Sequence, residues 1–344
     1  MPNDLILLTG ATGFVGFKTL VKALEAGYRV RCAVRSMSGI EKILATPSIQ
    51  SLKPSDEHLS WAIVPDITLA GAYDDAVKGV KYIVHCASPV PKLRPDSRHG
   101  TVEEIYINPA VLGVIGILES AAAQAADTVK RVVITSSIVA VMPRSAFRGE
   151  GLDRPPFTGD SRLPTPTAPY EDPYSSSKTA ALEQSEAWVE KHSPPFDLIS
   201  IMPAWVFGRD ELRTTSEGML AGSNAALLDF VRGAKSATPI NTGYIAVEDV
   251  ADAHISALSP AVSGGQSFIL SKHMSWEDGR QIAKKHFPQA FAIGLFSEDG
   301  VQPTVSIPTD ASEGEKLLGR KYMDDDDTVK EMTAQLVELV EAGK

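Results

Sequence analysis

Cysteine is scarce in this sequence, with only Cys32 and Cys86 among 344 residues. Both lie in apolar stretches that read as strands, which argues against a disulfide framework, and two thiols alone make no metal cluster, so no metal is expected. Buried reduced thiols suit a cytoplasmic protein, and that is the expected location. Positive charge is also short. Lys and Arg number 33 against 43 Asp and Glu, a formal net charge of −10. Nucleic-acid binding needs a concentrated basic surface, so no such partner is expected. No stretch of about 18 apolar residues runs uninterrupted, so no membrane span is expected either. The N-terminus passes from Leu5-Ile6-Leu7-Leu8 straight into Thr9-Gly10, without the form of a secretory signal. The final Glu341-Ala342-Gly343-Lys344 matches no lipidation or retention signal.

What is present is the composition of a folded protein, 43% apolar and 22% charged. Short apolar runs at 5–8, 28–34, 59–64, 82–86 and 131–135 alternate with amphipathic segments at 13–26, 40–46, 72–77 and 102–127. This rhythm predicts parallel strands joined by crossover helices, an α/β Rossmann-type doubly wound sheet. Seven prolines between 142 and 173 predict a long irregular loop at the rim of a site. A helix over 174–191 and a strand over 198–202 follow. Residues 1–203 are thus expected to form the dinucleotide-binding unit. Residues 204–344, with a helix over 225–232, are expected to form a smaller mixed substrate-binding region, parts of which return to the core. The acidic run 324–327 reads as a solvated turn rather than a helix start.

Strand 5–8 runs into Thr9-Gly10-Ala11-Thr12-Gly13-Phe14-Val15-Gly16, and a helical pattern begins at once. Glycines at such a junction allow the sharp turn, the approach of backbone to a pyrophosphate and close helix packing, while the helix N-terminus attracts the anion. Gly10, Thr12, Gly13, Phe14, Val15 and Gly16 are therefore candidate cofactor contacts. The second strand ends in Arg35, where an NAD site normally carries an acid for the ribose hydroxyls. A cation suits a 2′-phosphate, with Lys42 as a second positive charge, so NADP(H) is expected in preference to NAD(H).

Tyr174 and Lys178 are four positions apart, which puts them on one helical face. A free phenol with a pKa near ~10 is ionised about one part in a thousand at neutral pH, and a neighbouring ammonium lowers that value. Ser137, at the end of the run Arg131-Val132-Val133-Ile134-Thr135-Ser136-Ser137, is expected at the carboxyl edge of the sheet, where ligands of open α/β folds bind. Ser137, Tyr174 and Lys178 are the candidate catalytic residues, with Tyr174 passing a proton and Ser137 holding a carbonyl oxygen.

These motifs together resemble the extended short-chain dehydrogenases/reductases, in particular the dihydroflavonol-reductase-like and yeast methylglyoxal-reductase-like members. The resemblance covers nearly the whole chain and extends to Val64-Pro65-Asp66-Ile67, His85-Cys86-Ala87-Ser88-Pro89, Asn108-Pro109-Ala110-Val111, Pro203-Ala204-Trp205-Val206-Phe207-Gly208 and Val247-Glu248-Asp249-Val250-Ala251-Asp252-Ala253-His254. It implies that Asp66 and Ile67 lie beside the adenine, that Ala87 and Ser88 line the cofactor, and that Pro203 and Val206 flank the nicotinamide. Tyr174 and Lys178 also touch the cofactor in this scheme. Asn108 falls in the helix behind the site, and His85 and His254 are assigned to structure. Met142, Trp205, Phe207 and Met219 are candidate substrate contacts. Met142-Pro143-Arg144 and the stretch 209–224 depart from the plant flavonoid reductases, which argues against a flavonoid substrate.

The expected activity is NADPH-dependent reduction of an aldehyde or ketone, with a setting in secondary metabolism. The partner is a small carbonyl or alcohol, and monomer and homodimer are both compatible with the sequence. Two other functions fit the motifs. A nucleotide-sugar epimerase or dehydratase would need cations for a diphosphate, for which Arg209, Arg213 and Arg232 are available. A non-catalytic NADP(H)-sensing protein would have no need of Tyr174 and Lys178.

Overall fold

The computed structural model describes residues 3–88 and 100–343. Pro89 and Lys344, named above, lie outside the described residues. The centre is a seven-stranded parallel sheet. Its strands are β1 (Leu5–Thr9), β2 (Arg29–Val34), β3 (Leu59–Ile63), β4 (Tyr82–His85), β5 (Arg131–Thr135), β6 (Asp197–Pro203) and a last strand, Ser267–Leu270. The order across the sheet is β3-β2-β1-β4-β5-β6, then Ser267–Leu270 beside β6. The order reverses beside β1, the place where such folds bind ligands.

Both faces of the sheet are covered, and the period-two alternation of each strand divides the core into two layers. Ile6, Leu8, Val30, Cys32, Val84 and Ile199 pack on one side with Phe17 and Leu20 of α1 (Phe14–Glu25). The helix Val247–Ser256 closes that layer through Val250. Leu7, Ile83, Val132 and Ile134 face the opposite way, toward Ile117 and Leu118 of the helix Asn108–Gln124 and Ala180 of the helix Pro173–His192. The stretch Glu103–Gln124 is long and apolar enough to cross a membrane by length and composition, yet half of it is buried inside this fold. A third cluster, including Phe207, Tyr244, Trp276 and Met332, forms the core of the smaller region.

The chain does not stay above the sheet after residue 203. Ser267–Leu270 pairs in parallel with β6, and Val247–Ser256 packs on α1, so the later sequence contributes a strand and a helix to the Rossmann core. One anchor ties these parts together. The buried Arg131 guanidinium reaches both carboxylate oxygens of Asp197 at 2.6 and 2.7 Å and the carbonyls of Ala257, Ser259 and Val262 at 2.6–2.8 Å. Arg131→Ala is expected to cost about 3 kcal/mol, because it leaves a half-exposed carboxylate and three carbonyls without their partner. Urea unfolding tests this, and a loss below about 1 kcal/mol would show that water replaces the guanidinium freely.

Four local expectations need correction. Residues 72–77 form consecutive turns instead of a helix, because Gly71 and Gly79 at φ +71° and +72° bracket a segment too short to propagate one. The helix expected over 102–127 begins as a π-helix, Glu103–Ile107, and becomes regular from Asn108. Pro109 explains the change, since it donates no N–H and its ring pushes back the carbonyl four residues earlier. The proline-rich loop contains a short helix, Arg144–Phe147, and pairs with the C-terminal region at Phe157 and Thr309. Asp324 is an N-cap: its carboxylate accepts the Asp327 N–H at 2.8 Å, and Asp325, Asp326 and Asp327 occupy the first turn of the helix Asp325–Glu341. Negative charge there complements the helix dipole, the reading that composition alone had ranked second.

Candidate active site

The glycine turn is built for an anion. Gly10 takes φ +78°, and a Cβ there would stand 2.7 Å from the Ala87 nitrogen. A Cβ on Gly16 would stand 2.2 Å from the Gly10 carbonyl oxygen, so helix and strand meet with no room for a side chain. Gly13 differs. It N-caps α1, its N–H closes the turn onto Gly10 O at 2.9 Å, and a Cβ would meet only that oxygen, at 3.4 Å. The space over Gly13 is open, and Thr12 and Gly13 are exposed beside it. Phe14 and Val15 supply the half-buried first turn of the helix. No side chain caps α1 and no acidic residue enters its first turn, so its leading N–H groups are left for a ligand. These residues fit a pyrophosphate.

Arg35 follows the last residue of β2, is exposed and makes no ion pair with a described residue. Its charge reaches Asp66, beyond the end of β3. The Asp66 carboxylate is held below its usual range chiefly by hydrogen bonds from Thr68, and also by Arg35. Ile67 packs against Gly113 behind this edge. Arg35 and Asp66 therefore stand together on one rim of the sheet, next to the glycine turn. Lys42 sits in the last turn of the helix Met37–Leu44, within electrostatic reach of Asp210, away from the end of that helix that follows Arg35. Nearer in sequence are Ser36 and Ser38, whose hydroxyls meet at 2.8 Å.

At the other end of the crevice, Thr9 ties β1 to β4. Its Oγ1 accepts the Ala87 N–H at 3.1 Å and lies 3.0 Å from His85 Nδ1. Ala87 and Ser88 are half-buried. Pro203 ends β6, and Val206 is buried in the short strand Trp205–Phe207. Tyr174 is placed by its helix cap. Asp172 Oδ1 accepts the Tyr174 and Ser175 N–H groups at 3.0 and 3.1 Å, and Pro173 at the first helical position pre-sets the backbone. Arg144 pairs with the same carboxylate at 3.4 Å.

Ser137, Tyr174 and Lys178 converge at the carboxyl end of β5. The Ser137 hydroxyl donates to Pro203 O at 3.5 Å and accepts the Val139 N–H at 3.4 Å, and it is near enough to the Tyr174 phenol to lower its pKa. Lys178 Nζ donates to Thr135 O at 3.3 Å and Ser88 Oγ at 3.2 Å, and lies 5.9 Å from the Tyr174 ring centre. Burial pushes Tyr174 up to about 12, opposed by the neighbouring Ser137 hydroxyl and reinforced by Asp172. Burial also brings Lys178 down to about 8. The phenol thus keeps its proton at neutral pH, beside an ammonium that is lost in mildly alkaline solution.

A family model described as the NAD dependent epimerase/dehydratase family matches residues 6–270. The chain belongs to this family. Ketoreductase CTB6 of Cercospora nicotianae is 36% identical over 356 residues, covering 99% of this chain and 97% of that protein. The NAD-dependent epimerase/dehydratase ALT6 of Alternaria alternata is 35% identical, covering 93% and 95%. Among solved structures, yeast methylglyoxal/isovaleraldehyde reductase Gre2 complexed with NADPH matches with a TM-score of 0.81 at 26% identity, over 98% of this chain and 99% of that one.

For this epimerase/dehydratase family member, the substrate side was the least legible part. Met142 is closed inside a cluster with Ile138, Phe157 and Leu182, while Phe207 and Met219 are buried in the core of the smaller region. Trp205 alone of the four is half-exposed. Asn108 is exposed at the start of its helix, while Ala110 and Val114 of the same helix face the space behind Lys178. His254 is buried and structural: its Nδ1 donates to Val250 O at 2.7 Å and its Nε2 meets Thr135 Oγ1 at 2.8 Å. Sequence reasoning passed over Thr9, Thr135 and Asp172. The Asp172-Pro173 pair is a legible helix start, but Thr9 and Thr135 act through contacts that only the assembled sheet creates.

Proposed function

We propose that this chain is an NADPH-dependent reductase of ketones or aldehydes. The observation that carries the reading is the convergence of Ser137, Tyr174 and Lys178 beside a glycine turn with open space over Gly13. When bound, the dinucleotide supplies the hydride that goes to the carbonyl carbon. Tyr174 gives its hydroxyl proton to the carbonyl oxygen, which leaves as the alcohol. Ser137 donates to the same oxygen and holds it near the phenol. Lys178 binds the cofactor ribose and offsets the charge left on Tyr174. A ketoreductase and an NADPH-bound reductase among the relatives support this chemistry.

The three arginines that would receive a sugar diphosphate are engaged elsewhere. Arg209 holds Glu338 through two bonds of 2.6 and 2.7 Å, Arg213 pairs with Asp210 at 3.4 Å and Arg232 with Asp229 at 3.8 Å. This supports carbonyl reduction over epimerisation. The intact Tyr174 and Lys178 pair supports an enzyme over a sensor. The two free cysteines support our placing of it in the cytoplasm.

Arg35 carries the preference for NADPH, because a charge-assisted contact to a 2′-phosphate has no counterpart in NADH. Arg35→Asp is expected to lower kcat/KM for NADPH by about 10–100-fold while NADH use rises or holds. Initial rates at subsaturating cofactor decide it. Equal or better use of NADH by the unaltered enzyme refutes the preference, and a spectrophotometric panel of aliphatic, aromatic and polyketide-like carbonyls tests the reductase activity itself.

A further inference from the structure

Behind Lys178 the fold leaves a small cavity, about 10 Å³ of room for the centre of a water-sized sphere. That is space for about one water. His85 lines it and is 2% exposed. Its Nδ1 faces Thr9 Oγ1, which already accepts the Ala87 N–H. Among the described residues Nδ1 is the only acceptor within reach of the Thr9 hydroxyl hydrogen, which assigns that hydrogen to Nδ1 and the ring hydrogen to Nε2. Among the described residues Nε2 has no hydrogen-bond partner, a costly state for a buried polar atom. A Cβ on Gly113 would stand 3.9 Å from Nε2, so this ring edge faces the helix that brings Ala110 and Val114 to the cavity. Lys178 has three N–H donors, and Thr135 O and Ser88 Oγ take two.

We propose that a water in this cavity accepts from both His85 Nε2 and Lys178 Nζ, which makes His85 a positioning residue for Lys178. The water and Thr135 O hold the ammonium from behind. The N–H that reaches Ser88 is then the one released to the cofactor ribose, so this inference rests on the role of Lys178 proposed above. It also revises the assignment of His85 to structure alone. Burial keeps the imidazole neutral, so it places no second positive charge beside the ammonium. The titratable groups facing Lys178 are Tyr174 on its own helix, His85 on β4 and Cys86 just after β4. β5 contributes Thr135, Ser136 follows it, and the helix at Ala110 and Val114 contributes only apolar side chains to the cavity.

The test uses the whole enzyme. A crystal structure with NADPH is expected to show a water within hydrogen-bond distance of both nitrogens. His85→Phe keeps the ring volume and removes Nε2, so the ammonium loses support and the alkaline limb of the reductive kcat moves down by about one pH unit. His85→Gln, whose amide reaches the Nε2 position, restores the limb. No water in a well-ordered cavity overturns the proposal. So does a His85→Phe profile lowered equally at every pH, or one that Gln does not rescue. If a variant fails to fold, the wild-type crystal structure decides. Full turnover by Tyr174→Phe would instead remove the catalytic reading and leave the water in place.

Discussion

Tyr174→Phe is expected to slow carbonyl reduction by about 10²–10⁴-fold, the usual worth of a positioned proton donor. NADPH affinity should stay near its original value. The phenol stands beside Ser137, while the pyrophosphate end of the crevice belongs to the glycine turn. Phenylalanine keeps the ring that packs near Lys178 and deletes only the oxygen. Because burial holds the phenol protonated well above neutral pH, the lost function is that of an acid. Single-turnover absorbance of NADPH, with a fluorescence titration of the same sample, separates chemistry from binding. Undiminished turnover would eliminate Tyr174 as the donor, and an equal loss of cofactor binding would make it a binding residue.

The sheet and the site were legible to different degrees, for physical reasons. Parallel strands covered on both faces are apolar along nearly their whole length, so β1, β4 and β5 stood out as short runs, while β2 carries Arg29 and Arg31 at half-buried positions. Ser267–Leu270 was missed because four residues between polar turns carry too little pattern, and only pairing with β6 makes them a strand. Gly10, Gly13 and Gly16 were readable since their spacing marks a turn at positive φ, an uncrowded helix start and a close helix–strand contact. Lys178 was readable from helical spacing. Its surroundings were not. Thr135 and Ser88 meet it from 43 and 90 positions away, and such contacts leave no trace in local periodicity. Substrate contacts fared worst, because Met142, Phe207 and Met219 are the side chains a core would choose anyway.

Gly13→Ala and Gly16→Ala should fail in different ways, and the contrast separates what the turn does for the fold from what it does for the ligand. At Gly16 the added methyl would lie 2.2 Å from the Gly10 carbonyl oxygen and 2.6 Å from its carbon, both backbone atoms fixed by β1. The turn itself must open, so a stability loss of about 1–3 kcal/mol or more and no measurable NADPH binding are expected together. At Gly13 the methyl meets one atom, at 3.4 Å, and the residue keeps an ordinary extended backbone at φ −110°. Folding should survive there. The methyl nevertheless projects into the open space over the helix N-terminus, where a phosphate has to touch the backbone. NADPH affinity is then expected to fall by about 10–100-fold, an overpacking cost of about 1–3 kcal/mol borne by the complex alone. Thermal unfolding and calorimetric titration of both variants measure the two effects. A Gly13→Ala protein that binds NADPH as tightly as the original would place the pyrophosphate somewhere other than this turn.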